Sequence, residues 1–115
     1  MSQFAEKQIE SSLSVMSGGA PISQLKVYVN PMMRGCIIAY QLMSSESVKI
    51  EITNKASKKK VKDLFFPAGN SGGRRGINKV LWDGSNNDKL KCPYGMYEAR
   101  LFIKDIITEP IDIRF

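Results

Sequence analysis

The 115-residue chain contains no histidine. Histidine is the commonest protein ligand for transition metals and the commonest general base near neutral pH, so its absence excludes Ser-His-Asp, Cys-His and histidine-rich metal chemistry. Only two cysteines are present, Cys36 and Cys92, which are too few and too distant for a disulfide framework or a zinc site. They either form one bridge or are small, buried apolar residues.

Long apolar stretches are also missing. The longest, around Cys36-Ile37-Ile38-Ala39, is far too short to cross a bilayer. The N-terminus has no basic start followed by an apolar stretch, so no signal peptide is expected. We therefore expect a cytoplasmic protein, or one exported by a route that does not read such a signal. A composition of 43% hydrophobic and 24% charged residues indicates one globular domain rather than a disordered chain.

Negative charge is scarce relative to positive charge. The 17 Lys and Arg outnumber the 11 Asp and Glu, for a formal net charge of +6 that can attract nucleic acid or acidic headgroups. The candidate polyanion contacts come from two short segments: Lys55, Lys58, Lys59, Lys60, Lys62, Arg74 and Arg75. Aromatic residues that stack bases are not interleaved with them. A solvated hairpin tip, whose lysines guard a strand edge, is therefore the favoured interpretation.

The first organisational boundary falls at Gly18-Gly19-Ala20-Pro21. Four apolar residues before it are spaced by five, four and three, which approximates one face of a helix: Phe4, Ile9, Leu13 and Met16. Isolated helices of this length are marginal in water, so the segment must dock on its own domain or on a partner. We therefore divide the chain into an N-terminal docking segment, 1–20, helical or extended, and a β domain, 21–115.

After Gln24 the apolar period changes to two, the spacing of a strand with one buried face. The clearest case is Val48, Ile50 and Ile52 alternating with polar residues. A hairpin is predicted over 54–60, a flexible connection with four glycines over 67–76, and a polar turn over 84–90. The predicted strands cover residues 24–30, 36–42, 48–53, 61–66, 77–83, 96–104 and 111–115.

Several short strands separated by turn signals, with no helical pattern after residue 20, favour an all-β fold. We predict an antiparallel two-sheet β-sandwich of immunoglobulin or fibronectin type III type, with a small barrel as the main alternative. The predicted core is Leu25, Val27, Val29, Ile38, Tyr40, Val48, Ile50, Ile52, Leu64, Val80, Trp82, Tyr97, Ala99, Leu101, Ile103 and Ile111.

The single tryptophan and four residues that follow it in the chain are predicted to define the fold rather than bind a ligand. Trp82 offers a large apolar face to both sheets and an N–H that needs an acceptor. Asp83 can cap the next turn, and Gly84 permits backbone angles that side chains forbid. Gly95 allows a closely packed start to the long strand, and the Tyr97 hydroxyl can reach a backbone carbonyl across the sandwich end.

These motifs carry a resemblance to a known family. Residues 24–105 resemble the immunoglobulin-like domain of the bacterial flagellar hook-capping protein. The matching pieces are Asn30-Pro31, Ala39-Tyr40-Gln41-Leu42, Val48-Lys49-Ile50-Glu51-Ile52, Val80-Leu81-Trp82-Asp83-Gly84 and Tyr94-Gly95-Met96-Tyr97. The chain departs from the pattern at 88–92, where the family often has a further glycine. The resemblance implies a structural role in a flagellar, surface or envelope assembly.

Enzymatic chemistry is not indicated by the remaining polar residues. The carboxylates form no recognisable acid–base pair, and the glycine-rich stretch 71–76 lacks the Gly-Lys-Ser/Thr of a phosphate-binding loop. Asp83, Asn86, Asn87 and Asp88 offer oxygen ligands for Ca²⁺, although a plain turn is the simpler interpretation. We therefore expect no catalytic residue, no metal and no cofactor.

The expected function is that of a non-catalytic structural or protein-interaction module, either self-associating or bound to partner proteins in a larger bacterial assembly. The docking candidates are the N-terminal segment and an exposed strand edge. The alternative is a polyanion-binding module that uses the Lys-rich hairpin and Arg74-Arg75. A carbohydrate-binding sandwich is a third possibility, for which the sequence shows no aromatic platform.

Overall fold

The computed structural model describes residues 9–13, 16–17, 20–21 and 25–115, with only the backbone before Val27. The described residues form strands and turns and contain no helix, as the all-β prediction requires. The strands are β1 Ile9–Leu13, β2 Met16–Ser17, β3 Ala20–Pro21, β4 Leu25–Pro31, β5 Cys36–Leu42, β6 Val48–Asn54, β7 Lys60–Phe66, β8 Gly76–Trp82, β9 Met96–Ile103, β10 Ile106–Ile107 and β11 Ile111–Arg114.

Two antiparallel sheets make up most of the fold. Sheet A has the strand order β1-β4-β5-β8. Sheet B has the order β7-β6-β9, and β10 and β11 pair with successive parts of the other side of β9. The short strands β2 and β3 pair only with each other. Because the strands form separate sheets with a shared core, the arrangement is sandwich-like rather than a small barrel.

The core lies between the two sheets and follows the alternation in the sequence. Val48, Ile50 and Ile52 of β6 are fully buried, whereas the residues between them are half-buried. The same alternation holds in β5, β8 and β9. The buried apolar cluster is Val27, Val29, Cys36, Ile38, Tyr40, Leu42, Val48, Ile50, Ile52, Val80, Trp82, Cys92, Tyr97, Ala99, Leu101, Ile103, Ile111 and Ile113.

Leu64 and the two cysteines show how far the predictions of buried residues hold. Leu64 is only partly buried against the cluster, because it lies on β7 at the edge of sheet B. Both cysteines are buried and free, so the disulfide alternative is wrong for this structure and the small-apolar interpretation holds. Burial raises the pKa of the Cys36 thiol to about 12. Neither thiol is therefore an exposed reactive nucleophile.

The helical alternative for the N-terminal segment is wrong where the structure describes it. Ile9–Leu13 is a strand that pairs antiparallel with β4, with Ile9 opposite Val29 and Leu13 opposite Leu25. Met16–Ser17 also forms a strand. The physical reason is that β4 offers an open sheet edge, whose backbone groups an extended segment can satisfy and a helix cannot. The extended alternative is therefore correct for these residues.

The connection over 67–76 is irregular, as predicted, but it is held in place by hydrogen bonds. The Tyr40 hydroxyl donates to the Gly72 carbonyl at 2.6 Å, and the Glu46 N–H donates to the Gly73 carbonyl at 3.1 Å. The Asn78 side chain accepts from the Arg74 N–H and donates to the Arg74 carbonyl. These bonds tie the connection to β5 and β8, and its flexibility stays a prediction. We call this region the glycine-loop end of the sandwich.

Candidate docking surfaces

Four aromatic rings close the opposite end of the sandwich, which we call the aromatic end. Trp82 is fully buried, and its ring meets those of Tyr97 and Phe115 edge to face at 5.4 Å between centroids. Tyr97 and Phe115 stack at 5.3 Å, and Tyr94 packs edge-on against Phe115. Such pairs add stability beyond the area they bury. The structure thus places Trp82 and Tyr97 in a packed cluster between the sheets.

The turn after Trp82 is organised by short side chains. The Trp82 indole N–H donates to the Ser85 carbonyl at 2.8 Å. Asp83 Oδ1 accepts from the Ser85 hydroxyl at 2.6 Å and from the Ser85 N–H at 3.0 Å, and these two bonds lower the pKa of the Asp83 carboxyl. Gly84 has φ +82°, a conformation that favours glycine. The acceptor for the Trp82 N–H, the turn cap by Asp83 and the backbone conformation of Gly84 are therefore as the sequence predicted.

The Asn-rich part of this turn is used internally. Asn86 Oδ1 accepts from the N–H groups of Asp88 and Leu90, and Asn87 Oδ1 accepts from the Asp63 N–H on β7. These oxygens are therefore committed to backbone donors, which favours the plain turn over a Ca²⁺ loop. In the part of the chain that the structure describes, no three His, Cys, Asp or Glu side chains are grouped for metal binding.

Gly95 and Tyr97 differ from their predicted roles in detail. A Cβ at Gly95 would meet nothing within 4 Å, so close packing does not explain the glycine. The backbone of Gly95 instead exchanges hydrogen bonds with that of Phe115, which ties the last strand to β9. The Tyr97 hydroxyl donates to the Pro93 carbonyl at 2.6 Å, four residues earlier in the chain. It therefore fixes the local approach to β9 and does not cross the sandwich end.

The rim of the aromatic end combines an arginine with exposed apolar side chains. The Arg34 guanidinium lies 4.5 Å from the centroid of Tyr94 and donates to the Cys92 carbonyl at 2.5 Å. Tyr94 is 62% exposed, and Met33 beside Arg34 is more exposed still. Arginine, tyrosine and methionine are enriched in protein interfaces, so this rim is one candidate contact surface.

The lysines of the predicted polyanion site are largely engaged with protein groups. Lys55 Nζ donates to both carboxylate oxygens of Asp112, at 3.0 and 3.1 Å. Lys60 Nζ lies 3.2 Å from Asp63 Oδ1, as an ion pair without hydrogen-bond geometry. Lys62 Nζ is 3.5 Å from the Asn86 carbonyl. Exposed pairs of this kind contribute little to stability, but they reduce the charge that is free for a ligand.

The fold also separates the two basic segments. Lys58 and Lys59 lie in the β6–β7 turn at the aromatic end, whereas Arg74 and Arg75 are exposed at the glycine-loop end. The intervening seven-residue strand β7 spans about 20 Å at the usual strand rise. The structure therefore does not bring the seven predicted polyanion contacts together into one surface.

A groove opens along one side of the sandwich, between the edge strands β7 and β8. It has a volume of about 150 Å³ and is lined by Lys62, Leu64, Leu81, Trp82 and Asp83. We call it the side groove. The inward-facing residues Lys62, Leu64 and Phe66 of β7 are only half-buried, in contrast to those of β6 and β9. The core is thus less covered here than between the central strands.

Sequence reasoning missed the side groove and its rim. Leu81 is 55% exposed and Phe65 is 63% exposed, because each lies on the outer face of its strand, away from the core. A detectable signal exists, because both strands carry apolar residues on the polar face of the alternation. Phe65 lies in one row of sheet B with Lys49 and Phe102, and Lys49 Nζ covers the Phe102 ring at 5.0 Å. This leaves Phe65 as a single exposed ring and not a flat aromatic platform.

The predicted docking residues of the N-terminal segment do not form one helical face. Ile9 and Leu13 are in β1 and Met16 is in β2, while Phe4 lies outside the described residues. The helix that was predicted to present these residues as one docking face is therefore not formed by Ile9, Leu13 and Met16. The described residues include no helix long and apolar enough to span a membrane.

Comparisons with known proteins leave the family open. No model of a known protein family matches the chain, and no curated protein matches it.

Proposed function

We propose that this chain is a non-catalytic protein-interaction module built on an immunoglobulin-like sandwich of fibronectin type III character. The strand order supports this type: β4-β5-β8 form one sheet against β7-β6-β9-β11 in the other. In chain order, this three-against-four grouping resembles that of a fibronectin type III domain, which supports the type that we propose. The added strand β1 extends the three-stranded sheet at its outer edge.

The observation that carries the docking function is the incomplete cover of the core at the side groove. Half-buried Leu64 lines it from inside the sandwich beside the fully buried Trp82, and Leu81 forms an exposed apolar rim. Apolar side chains around a concave edge are typical of surfaces that bind another protein. Docking there removes the rim from water and completes the packing of β7.

The biological setting that we propose is a bacterial surface, flagellar or envelope assembly, in which the sandwich acts as a rigid spacer or lid. This setting rests on the resemblance of residues 24–105 to the immunoglobulin-like domain of hook-capping proteins. Trp82, Asp83 and Gly84 support it indirectly, because their contacts explain why such a motif recurs as a fold determinant. They do not bind a ligand in this proposal.

The test is whether the full-length protein forms a stoichiometric complex, with itself or with another protein, through the side groove. We expect Leu81→Glu to abolish the complex measured by light scattering, because the charge must be desolvated at the apolar rim. Ile107→Glu is the matched control, since Ile107 is 54% exposed on β10, which pairs on the other side of β9 from β6 and β7. Absence of any stoichiometric complex, or equal loss in both variants, contradicts the proposal.

A further inference from the structure

Two loops at the aromatic end expose large apolar side chains to water. The loop 32–35 joins β4 to β5 and carries Met33, which is 88% exposed. The loop 83–95 joins β8 to β9 and carries Tyr94, which is 62% exposed. Neither residue lines the side groove. Exposed apolar side chains that lie together mark a surface that binds a partner.

Arg34 holds these two loops together. Its guanidinium donates to the Cys92 carbonyl, and the guanidinium carbon lies 4.5 Å from the centroid of the Tyr94 ring and 5.9 Å from that of Phe115. Met33 is the next residue in the chain. The two exposed side chains therefore belong to one preformed surface, which has little conformational entropy to lose when it binds a partner.

Basic residues share this end of the sandwich with the apolar side chains. The loops 32–35, 55–59 and 83–95 carry six basic residues against two acidic ones. The basic residues are Arg34, Lys55, Lys58, Lys59, Lys89 and Lys91, and the acidic ones are Asp83 and Asp88. Within the described part of the chain, the last four of these basic residues form no ion pair. Their charge is thus available to an anionic partner.

An anionic membrane surface matches this combination better than a protein or a nucleic acid does. Lysine is depleted in protein interfaces, although methionine, tyrosine and arginine are enriched there. Nucleic acid can neutralise the lysines, but it offers an exposed methionine no apolar phase. An anionic bilayer supplies both, because its acidic headgroups attract lysine and its acyl chains accept apolar side chains.

We propose that the aromatic end binds the surface of an anionic lipid bilayer. Met33 and Tyr94 enter the boundary between headgroups and acyl chains, and the lysines of the surrounding loops face the headgroups. This inference goes beyond the proposed protein docking and does not depend on it, because the side groove is a different surface.

The proposed orientation makes the two basic pairs unequal. Lys58 and Lys59 lie at the membrane-facing end, whereas Arg74 and Arg75 lie at the glycine-loop end. The seven-residue strand β7 separates them by about 20 Å at the usual strand rise. Because the Debye length is about 8 Å at physiological salt, the two arginines contribute little to the attraction.

Co-sedimentation of the full-length protein with phosphatidylcholine vesicles, with and without phosphatidylglycerol, tests the proposal. We expect binding that requires phosphatidylglycerol and weakens with added salt. Lys58→Glu with Lys59→Glu should raise the Kd about 30-fold or more, since each lysine near an anionic surface contributes a factor of about five. Arg74→Glu with Arg75→Glu makes the same change in net charge at the other end and should leave the Kd nearly unchanged.

Two exposed methionines test the apolar contribution. Met33→Glu should weaken binding to the anionic vesicles about 10-fold or more, because it removes an inserted apolar side chain and adds a charge. Met43 directly follows β5 at the glycine-loop end and is 73% exposed, so Met43→Glu is the matched control that should bind as the wild type does. Since both side chains are exposed, neither variant should disturb the core.

Three results would overturn the proposal. The first is a wild-type protein that does not bind vesicles containing phosphatidylglycerol. The second is an equal loss from the lysine and arginine reversals with no effect of Met33→Glu, which would show diffuse attraction to any anionic surface. The third is binding to DNA but not to the vesicles, which would indicate a nucleic-acid partner.

Discussion

At the scale of single residues, Gly35 makes possible the close approach of the β4–β5 turn to the aromatic end. Its φ is +89°, and a Cβ there would collide with the carbonyl oxygen of Trp82. Gly69 has a similar φ of +87°, but a Cβ there would meet nothing within 4 Å. The two glycines therefore share the conformational requirement and differ only in steric contact.

This pair of glycines gives the first prediction. Gly69→Ala should lower the free energy of unfolding by about 1–2 kcal/mol, the cost of a left-handed conformation. Gly35→Ala should cost clearly more, because the backbone must also move away from Trp82. Urea unfolding followed by tryptophan fluorescence measures both values. Equal losses would show that contact with Trp82 does not constrain the turn.

The buried thiol of Cys36 gives a second prediction, on alkaline stability. Burial raises the pKa of Cys36 in the folded protein from 9.0 to about 12. The unfolded chain therefore releases its proton first as the pH rises, so this contribution to stability is complete below pH 9 and is lost between pH 9 and 12. Burial also raises the pKa of Tyr40, which adds to the same trend.

The measurement is the free energy of unfolding against pH, from pH 7 to 11, in wild type and Cys36→Ala. The variant is expected to be less stable at pH 7, because it leaves a small cavity, but to show a shallower decline above pH 9. Parallel curves for the two proteins would mean that ionisation of Cys36 does not contribute to the decline.

At the scale of elements, β1 shows how an open edge selects the conformation of a neighbouring segment. Ser11 pairs with Val27 and Ser12 with Lys26 in the β1–β4 ladder. In an edge strand, one of two successive residues points its N–H toward the neighbouring strand and the next points it away. Proline tolerance should therefore differ between these two adjacent positions.

Ser11→Pro and Ser12→Pro test the strand directly. One variant should lose a ladder hydrogen bond and cost about 1 kcal/mol or more, whereas the other should be nearly neutral. In the middle of a helix both prolines would cost about 3 kcal/mol. Thermal or urea unfolding distinguishes these patterns, and equal, large losses would favour the helix over β1.

The incomplete burial of β7 leads to a prediction about two leucines. Leu101 on β9 is fully buried, whereas Leu64 on β7 is half-buried beside the side groove. Leu101→Ala should lower the free energy of unfolding by about 2–5 kcal/mol, and Leu64→Ala by distinctly less. Measurements at low protein concentration keep the monomer as the reference. Similar losses would indicate that the inner face of β7 is covered in solution.

At the scale of the whole molecule, the net charge of +6 is distributed over both ends of the sandwich. Lys58 and Lys59 lie at one end and Arg74 and Arg75 at the other. These two exposed basic pairs are therefore separated by the length of β7. The positive charge therefore favours weak, diffuse attraction over a defined nucleic-acid site.

Heparin or DNA chromatography tests the alternative polyanion function. We expect weak retention that disappears at moderate salt. The double variant Lys58→Glu with Lys59→Glu should reduce retention by about as much as the double variant Arg74→Glu with Arg75→Glu. The two reductions should add when the variants are combined. Tight retention that is lost through one pair alone would instead show a local polyanion site. The retention of Ile107→Lys controls for an added net charge outside these two basic pairs.

The sequence by itself determined the β-structure after residue 24. Alternation in Val48, Ile50 and Ile52 requires one buried strand face, because successive side chains of a strand point in opposite directions. The turn at Asp83-Gly84-Ser85 follows from short-range hydrogen bonds and a positive φ. Both features depend on residues close together in the chain.

Only the tertiary structure decided the conformation of β1, the shape of the side groove and the separation of the basic segments. Ile9 and Leu13 are four residues apart, a spacing that shares one face in a helix and in a strand, so the open edge of β4 made the choice. The groove exists because β7 and β8 end their sheets side by side. These features arise from pairing between distant segments, which burial of the whole core selects and local pattern does not specify.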